Sequence, residues 1–212
     1  LISLGRGLVR EDVAAVLMDE PLTVIDPDLK FRLRRKLKEI NEEFKTTLVY
    51  VTHDQNEAMT FADNIIVMSE GEVVQTGTPK DLFERPNTTF VGYFIGSPAM
   101  NLFETEVVSQ SEVKIGSVKI KTSTDLSKIK NKKIKLGIRS EFIDVIEKEG
   151  ENTVKAKVKK IEDFGNFKLL TAVAENFIIK SKIDREKPIS DGEINLHIPA
   201  EKCCVYEDEK LI

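Results

Sequence analysis

Apolar and polar positions follow two different rhythms along this chain, and the change falls near Gly96. Before it, short apolar runs alternate with helical stripes. Ala14-Ala15-Val16-Leu17-Met18 is unbroken apolar sequence, the pattern of a strand buried on both faces of a parallel sheet. Leu29, Leu33, Leu37, Ile40 and Phe44 then recur at helical spacing, with Arg32, Arg34, Arg35, Lys36 and Lys38 around the other faces. Asp26 and Pro27 stand where an N-cap and a first helical residue belong. Thr46–Thr52 is a second β-rich run, and a short helix follows over Gln55–Phe61. Leu1, Leu4 and Leu8 mark the end of an earlier helix.

Strand, helix, strand, helix implies right-handed crossovers and a parallel sheet. Beyond it, Asn64–Met68 and Glu72–Gln75 flank Ser69-Glu70-Gly71, a hairpin pattern. Thr78-Pro79-Lys80-Asp81 opens a short helix, and another covers Thr88–Ile95 until Gly96-Ser97-Pro98 breaks it. From Asn101 onward the pieces are strand-like: 102–109, 112–122, 134–138, 142–147, 153–163, 167–174, 176–182 and 193–198. Val154-Lys155-Ala156-Lys157-Val158-Lys159 alternates as a half-buried antiparallel strand does. Many short strands at this spacing predict a small barrel or sandwich. The expected domains are 1–95, α/β with a parallel sheet, and 96–212, all-β.

Composition narrows the partners. At 212 residues the chain can bury one large core or two modest ones, and a formal net charge of −4 argues against general attraction to nucleic acid. No apolar run approaches the roughly 20 residues that span a bilayer, so any membrane role is expected to be peripheral. Cys203 and Cys204 are adjacent, an unsuitable spacing for a disulfide, and are expected on opposite faces of a late strand in a cytosolic setting. Leu1-Ile2-Ser3-Leu4-Gly5-Arg6 has neither an initiator Met nor a targeting pattern, so the chain is expected to be the C-terminal part of something longer.

The candidate chemistry sits at strand ends, where parallel α/β sheets gather their ligand sites. Asp19-Glu20 closes the first apolar run and His53 closes the second. In phosphoryl-transfer sites a strand-end Asp holds Mg²⁺, and a second group orients the attacking water. Glu20 is placed to act as general base, and His53 to donate a hydrogen bond to a γ-phosphate oxygen. An acidic pair after a strand is also a common solvated loop start, and a lone His a common surface residue. The combination is what points to chemistry.

Val16-Leu17-Met18-Asp19-Glu20-Pro21-Leu22-Thr23 resembles the Walker B segment of ABC-type ATPases, and Val24-Ile25-Asp26 their D-loop. Val51-Thr52-His53-Asp54-Gln55-Asn56-Glu57-Ala58-Met59 resembles their H-loop. Phe94-Ile95-Gly96-Ser97-Pro98-Ala99-Met100-Asn101 is similar to the domain junction of the sugar- and polyol-importing branch, and Gly137-Ile138-Arg139-Ser140-Glu141 to an element of its TOBE domain, an OB-type barrel. The resemblance implies the C-terminal half of a P-loop ABC ATPase domain followed by a TOBE barrel. It implies Asp19 binding Mg²⁺ through water, Glu20 as catalytic base, His53 as switch on the γ-phosphate and Asp26 reaching across a head-to-tail dimer. Mg²⁺ and ATP are then the cofactor and substrate of the intact protein. The implied partners are membrane permease subunits, a second copy bound through both domains, and indirectly a solute-binding protein, at the inner face of the cell membrane. No nucleic-acid partner is expected.

The departures matter as well. No Gly-x-x-x-x-Gly-Lys-Ser/Thr, Q-loop or Leu-Ser-Gly-Gly-Gln signature occurs in the sequence, so residues 1–212 alone are expected to be inactive. Thr23-Val24 also departs from the D-loop pattern. Two other readings stand beside this one: a non-catalytic regulatory and dimerising module, and an importer subunit for another small solute such as a polyamine. A lysine run, Lys114, Lys119, Lys121, Lys128, Lys130, Lys132, Lys133 and Lys135, raises nucleic-acid binding by the barrel. Acids recur soon afterwards and aromatics are sparse in that stretch, which favours a solvated basic face.

Overall fold

The computed structural model describes residues 13–23, 25–130 and 133–212. The helix expected around Leu1, Leu4 and Leu8, Val24 of the D-loop segment, and Lys132 of the lysine run lie outside the described residues. So do the side chains of Phe44 and Lys133. The chain divides into two compact units between Ile65 and Ile66.

In the first unit, β1 (Ala15–Asp19) pairs in parallel with β2 (Thr47–Val51), in register from Ala15 against Thr47 to Asp19 against Val51. The crossover between them is α1 (Pro27–Phe44), and α2 (Gln55–Phe61) follows β2. The parallel sheet is this two-stranded pair among the described residues. Each helix starts where the sequence provides a cap. Asp26 Oδ1 accepts from the Asp28 and Leu29 amides, and Asp54 Oδ1 from the Asn56 and Glu57 amides. Met18, Leu22 and Leu37 are buried. Burial of β1 on both faces, expected from its unbroken apolar run, does not hold. Leu17 is 77 % exposed and its ladder partner Val49 44 %, so these strands share an apolar face that no described residue covers.

The hairpin β3 (Ile65–Ser69) and β4 (Glu72–Gly77) lies in the second unit except for Ile65, and α3 (Pro79–Glu84) and α4 (Thr89–Phe94) follow it. Thr78 and Asp81 form a reciprocal capping box on α3. Two antiparallel sheets then enclose the main core. β5 (Asn101–Ser109), β6 (Glu112–Ile115), β7 (Val118–Lys121), β8 (Lys133–Ile138), β14 (Cys204–Glu207) and β15 (Lys210–Leu211) form one, ordered β15-β14-β8-β5-β6-β7. The other is ordered β12-β11-β10-β13-β9, from β9 (Asp144–Ile146), β10 (Thr153–Asp163), β11 (Phe167–Ala174), β12 (Phe177–Asp184) and β13 (Glu193–His197). Val113, Ile120 and Leu136 from the first sheet meet Val154, Leu170, Ile179 and Leu196 from the second in one buried cluster. This is the expected barrel-type, mostly β domain.

Two asparagines close the sheets on each other. Asn101 Nδ2 donates to the Lys180 carbonyl at 2.9 Å while its Oδ1 accepts from the Lys180 amide at 2.8 Å. Asn152 does the same to Lys121 and also donates to the Ile198 carbonyl at 2.9 Å. Each side chain imitates a strand neighbour where no backbone pairing is possible.

Strand alternation begins after Gly96, with β5 starting at Asn101. Residues of α3 and α4 share a compact unit with the barrel, held by Arg139. This residue is 1 % exposed, and its guanidinium donates to the carbonyls of Phe83, Gly92, Ile95 and Leu82. The piece 112–122 is a hairpin rather than one strand, because Gly116 turns at φ +58°.

Candidate functional site

β1 and β2 run in parallel, so their carboxyl ends lie side by side. Asp19 pairs with Val51 in the ladder, and the Glu20 amide donates to the Val51 carbonyl at 2.9 Å. At that point the chain turns sharply, with Glu20 at φ +43°. This left-handed geometry is costly for a residue bearing a Cβ and is held by Thr23, whose Oγ1 donates to both the Glu20 carbonyl and its Oε2. The carboxylate is thereby turned toward the end of β2. His53 lies two residues past that strand, and its Nδ1 is 2.6 Å from Glu20 Oε1.

The contact alters both groups. The hydrogen bond to His53 holds the Glu20 carboxyl below its ordinary pKa, and the hydrogen bond to Glu20 raises that of His53. Each therefore favours the charged state of the other. With Nδ1 bound to the carboxylate, a protonated imidazole still presents Nε2–H to a further acceptor.

Thus the structure brings together Glu20 and His53. Asp19 is the adjacent, exposed carboxylate. Asp26 is at the start of α1, its side chain occupied in capping. No group of three or more His, Cys, Asp and Glu side chains converges as a metal site among the described residues. A single exposed carboxylate nevertheless suits Mg²⁺, which keeps several waters and binds through one or two carboxylates together with substrate phosphates. Both carboxylates are exposed at the strand end rather than buried.

Sequence reasoning missed Glu57 and Tyr50. Glu57 is 3 % exposed and accepts from the hydroxyls of Tyr50 and Thr52, each at 2.9 Å. Lys30 Nζ lies 2.7 Å from its Oε1 and Arg34 Nη1 3.7 Å. No local pattern signals this fold-back of a first-turn acid onto the hydroxyls of Tyr50 in β2 and Thr52 just beyond it. In the barrel, Lys121 is paired with Glu151, and Lys135 with Glu209 and Glu104. Those two members of the lysine run are engaged in ion pairs rather than presented singly.

Residues 96–143 match the family model described as "MalK OB fold domain". The chain is also related, along most of its length, to the ATP-binding proteins of ABC importers. It is 37 % identical over 202 residues to the oligosaccharides import ATP-binding protein MsmX of Bacillus subtilis, covering 91 % of this chain and 55 % of MsmX. It is 39 % identical over 164 residues to the sn-glycerol-3-phosphate import ATP-binding protein UgpC of Psychromonas ingrahamii, covering 77 % of this chain and 42 % of that protein. A second such protein, UgpC 2 of Agrobacterium fabrum, is 36 % identical over 93 % of this chain and 53 % of its own length. The chain therefore spans about half the length of the curated relatives it matches. No helix among the described residues is long and apolar enough to cross a membrane.

Proposed function

We propose that this chain is part of the ATP-hydrolysing subunit of an ABC importer for sugars, polyols or related solutes. The observation that carries this reading is the 2.6 Å contact between Glu20 and His53 at neighbouring parallel strand ends. Its support from relatives is that MsmX and the UgpC proteins are import ATP-binding proteins for oligosaccharides and sn-glycerol-3-phosphate.

On this reading the ATPase domain runs to about residue 95, and the OB-type domain follows. Glu20 is the general base, its carboxylate taking the proton of the water that attacks the γ-phosphate. His53 donates from Nε2 to a γ-phosphate oxygen and stabilises the charge that develops there. Asp19 would hold Mg²⁺, which would neutralise phosphate charge when bound. Asp26 reaches the opposite copy in a homodimer. Permease subunits are the membrane partners and the inner face of the cell membrane the site of action. ATP favours the closed dimer and so shifts the population toward it.

The phosphate-gripping loop is not among residues 1–212, so the catalytic test belongs to the full-length protein. There, magnesium-dependent ATP hydrolysis is expected and Glu20→Gln is expected to abolish it. A Glu20→Gln rate equal to that of the parent would overturn the assignment. Residues 1–212 alone are expected to hydrolyse no ATP.

A further inference from the structure

Glu57 has no part in the chemistry just assigned, yet it is the one buried carboxylate among the described residues, at 3 % exposed. Burial pushes its pKa up, but hydrogen bonds from Lys30, Tyr50 and Thr52 outweigh that effect and leave it below the ordinary value. It is therefore an ionised group held from two sides. Lys30 and Arg34 reach it from α1, and the Tyr50 and Thr52 hydroxyls reach it from β2 and the residue beyond. Displacing such a carboxylate leaves buried charges unpaired, so its place is well determined.

What that place determines is the loop carrying His53. Thr52 and Asp54, the two chain neighbours of His53, are both tied to Glu57. The Thr52 hydroxyl donates to Glu57 Oε2 at 2.9 Å and accepts from the Asp54 amide at 3.0 Å. Asp54 Oδ1 in turn accepts from the Asn56 amide at 2.9 Å and the Glu57 amide at 3.3 Å. The imidazole itself is largely in solvent, its side chain 69 % exposed, and its tie is to Glu20. Packing therefore contributes little to the direction of this ring, and the backbone beneath it contributes most.

We infer that Glu57 is a positioning residue for His53, acting through Thr52 and Asp54 to set the imidazole against Glu20. The catalytic purpose of this device rests on the ATPase reading; the device itself does not.

Thr52→Val is the discriminating change. Valine suits the extended backbone and leaves Glu57 with Lys30, Arg34 and Tyr50, but it removes the hydroxyl that links Glu57 to the Asp54 amide. The chain has two histidines, so in long-range proton–nitrogen spectra at one fixed pH His197 serves as the internal reference. In the 212-residue chain, Thr52→Val is expected to keep the unfolding midpoint. It should nonetheless move the His53 ring nitrogen shifts to those of a free imidazole, with His197 unmoved. Glu57→Gln is expected to move His53 in the same direction while also lowering the midpoint. His53 shifts identical to the parent's in Thr52→Val would overturn the inference. So would a Glu57→Gln protein that loses stability but keeps the His53 signals, since Glu57 would then serve packing alone. These spectra need no nucleotide. Failure of the ATPase reading would show separately, as hydrolysis by the full-length Glu20→Gln protein.

Discussion

Arg139 Nη1 donates to the carbonyl of Gly92 at 2.8 Å, and the same guanidinium reaches the carbonyls of Phe83, Ile95 and Leu82. These are carbonyls at the ends of α3 and α4, which helices leave without internal partners. One cation from the end of β8 thus satisfies two helix termini and rests over the Phe83 ring at 4.6 Å. Burial desolvates this charge and lowers its pKa. Arg139→Met removes a costly charge but leaves several buried acceptors unmatched. The net loss is expected to be about 3 kcal/mol. Urea unfolding of the 212-residue chain, followed by far-ultraviolet circular dichroism, measures it. A midpoint unchanged from the parent would show that water replaces the guanidinium without loss.

Gly137 is needed for space rather than for a turn. A Cβ built there would lie 2.7 Å from Met100 Sδ and 2.8 Å from Tyr206 Cε2. The Tyr206 ring cannot swing away freely, because its hydroxyl donates to the Pro86 carbonyl at 3.1 Å. Gly137→Ala is expected to cost about 1–3 kcal/mol through overpacking. Gly165→Ala meets no atom within 4 Å and carries only the strain of φ +87°, about 1–2 kcal/mol. In the double variant Gly137→Ala with Met100→Ala, part of the overpacking should be relieved. Thermal midpoints of the three proteins decide whether crowding is the cause.

The strands were legible in sequence where alternation is strict. β10, β11 and β13 fall within a residue of the expected pieces, since an inward apolar and outward polar face leaves little choice of register. β15 was not, because Lys210 and Leu211 are too short a run to show a period. The double burial expected for β1 failed for another reason. An apolar run reports what a strand needs to cover, and Leu17 stands uncovered among the described residues. In the site, Glu20 and His53 were legible because strand ends in a parallel pair must be neighbours. Glu57 was not, because nothing in local pattern shows that a first-turn acid folds back beneath the strand preceding its helix. Two of its partners, Lys30 and Arg34, come from α1 and are joined to it only by the fold.

Cys203 and Cys204 occupy two separate clusters, Cys203 in the main core and Cys204 beside Met100 and Tyr206. Both are free thiols, as their adjacency suggested. Burial pushes the Cys203 thiol up to about 12, and that of Cys204 upward as well. Since the thiolate is the nucleophile, neither should react readily at pH 8. The folded protein is expected to resist iodoacetamide over hours, whereas urea-unfolded protein should gain two labels. Mass spectrometry counts them. Rapid native labelling of Cys203 would mean that the core around it opens far more often than its packing implies.

The Glu20–His53 pair makes its own pH window. His53 has its pKa raised by the hydrogen bond to Glu20, so its share of the pairing energy is fully present below the ordinary histidine value of about 6.5. That share is lost as pH rises through the raised value. Glu20 has its pKa lowered by the hydrogen bond to His53, so its share is present above the ordinary glutamate value and lost as pH falls through the lowered one. Between the lowered glutamate and the raised histidine pKa both groups are charged and the contact is whole. Titration of His53 followed by its ring proton shifts should give a midpoint above about 6.5, and Glu20→Gln should bring it back toward that value. A His53 midpoint indifferent to Glu20→Gln would mean that the two side chains do not hold each other in solution.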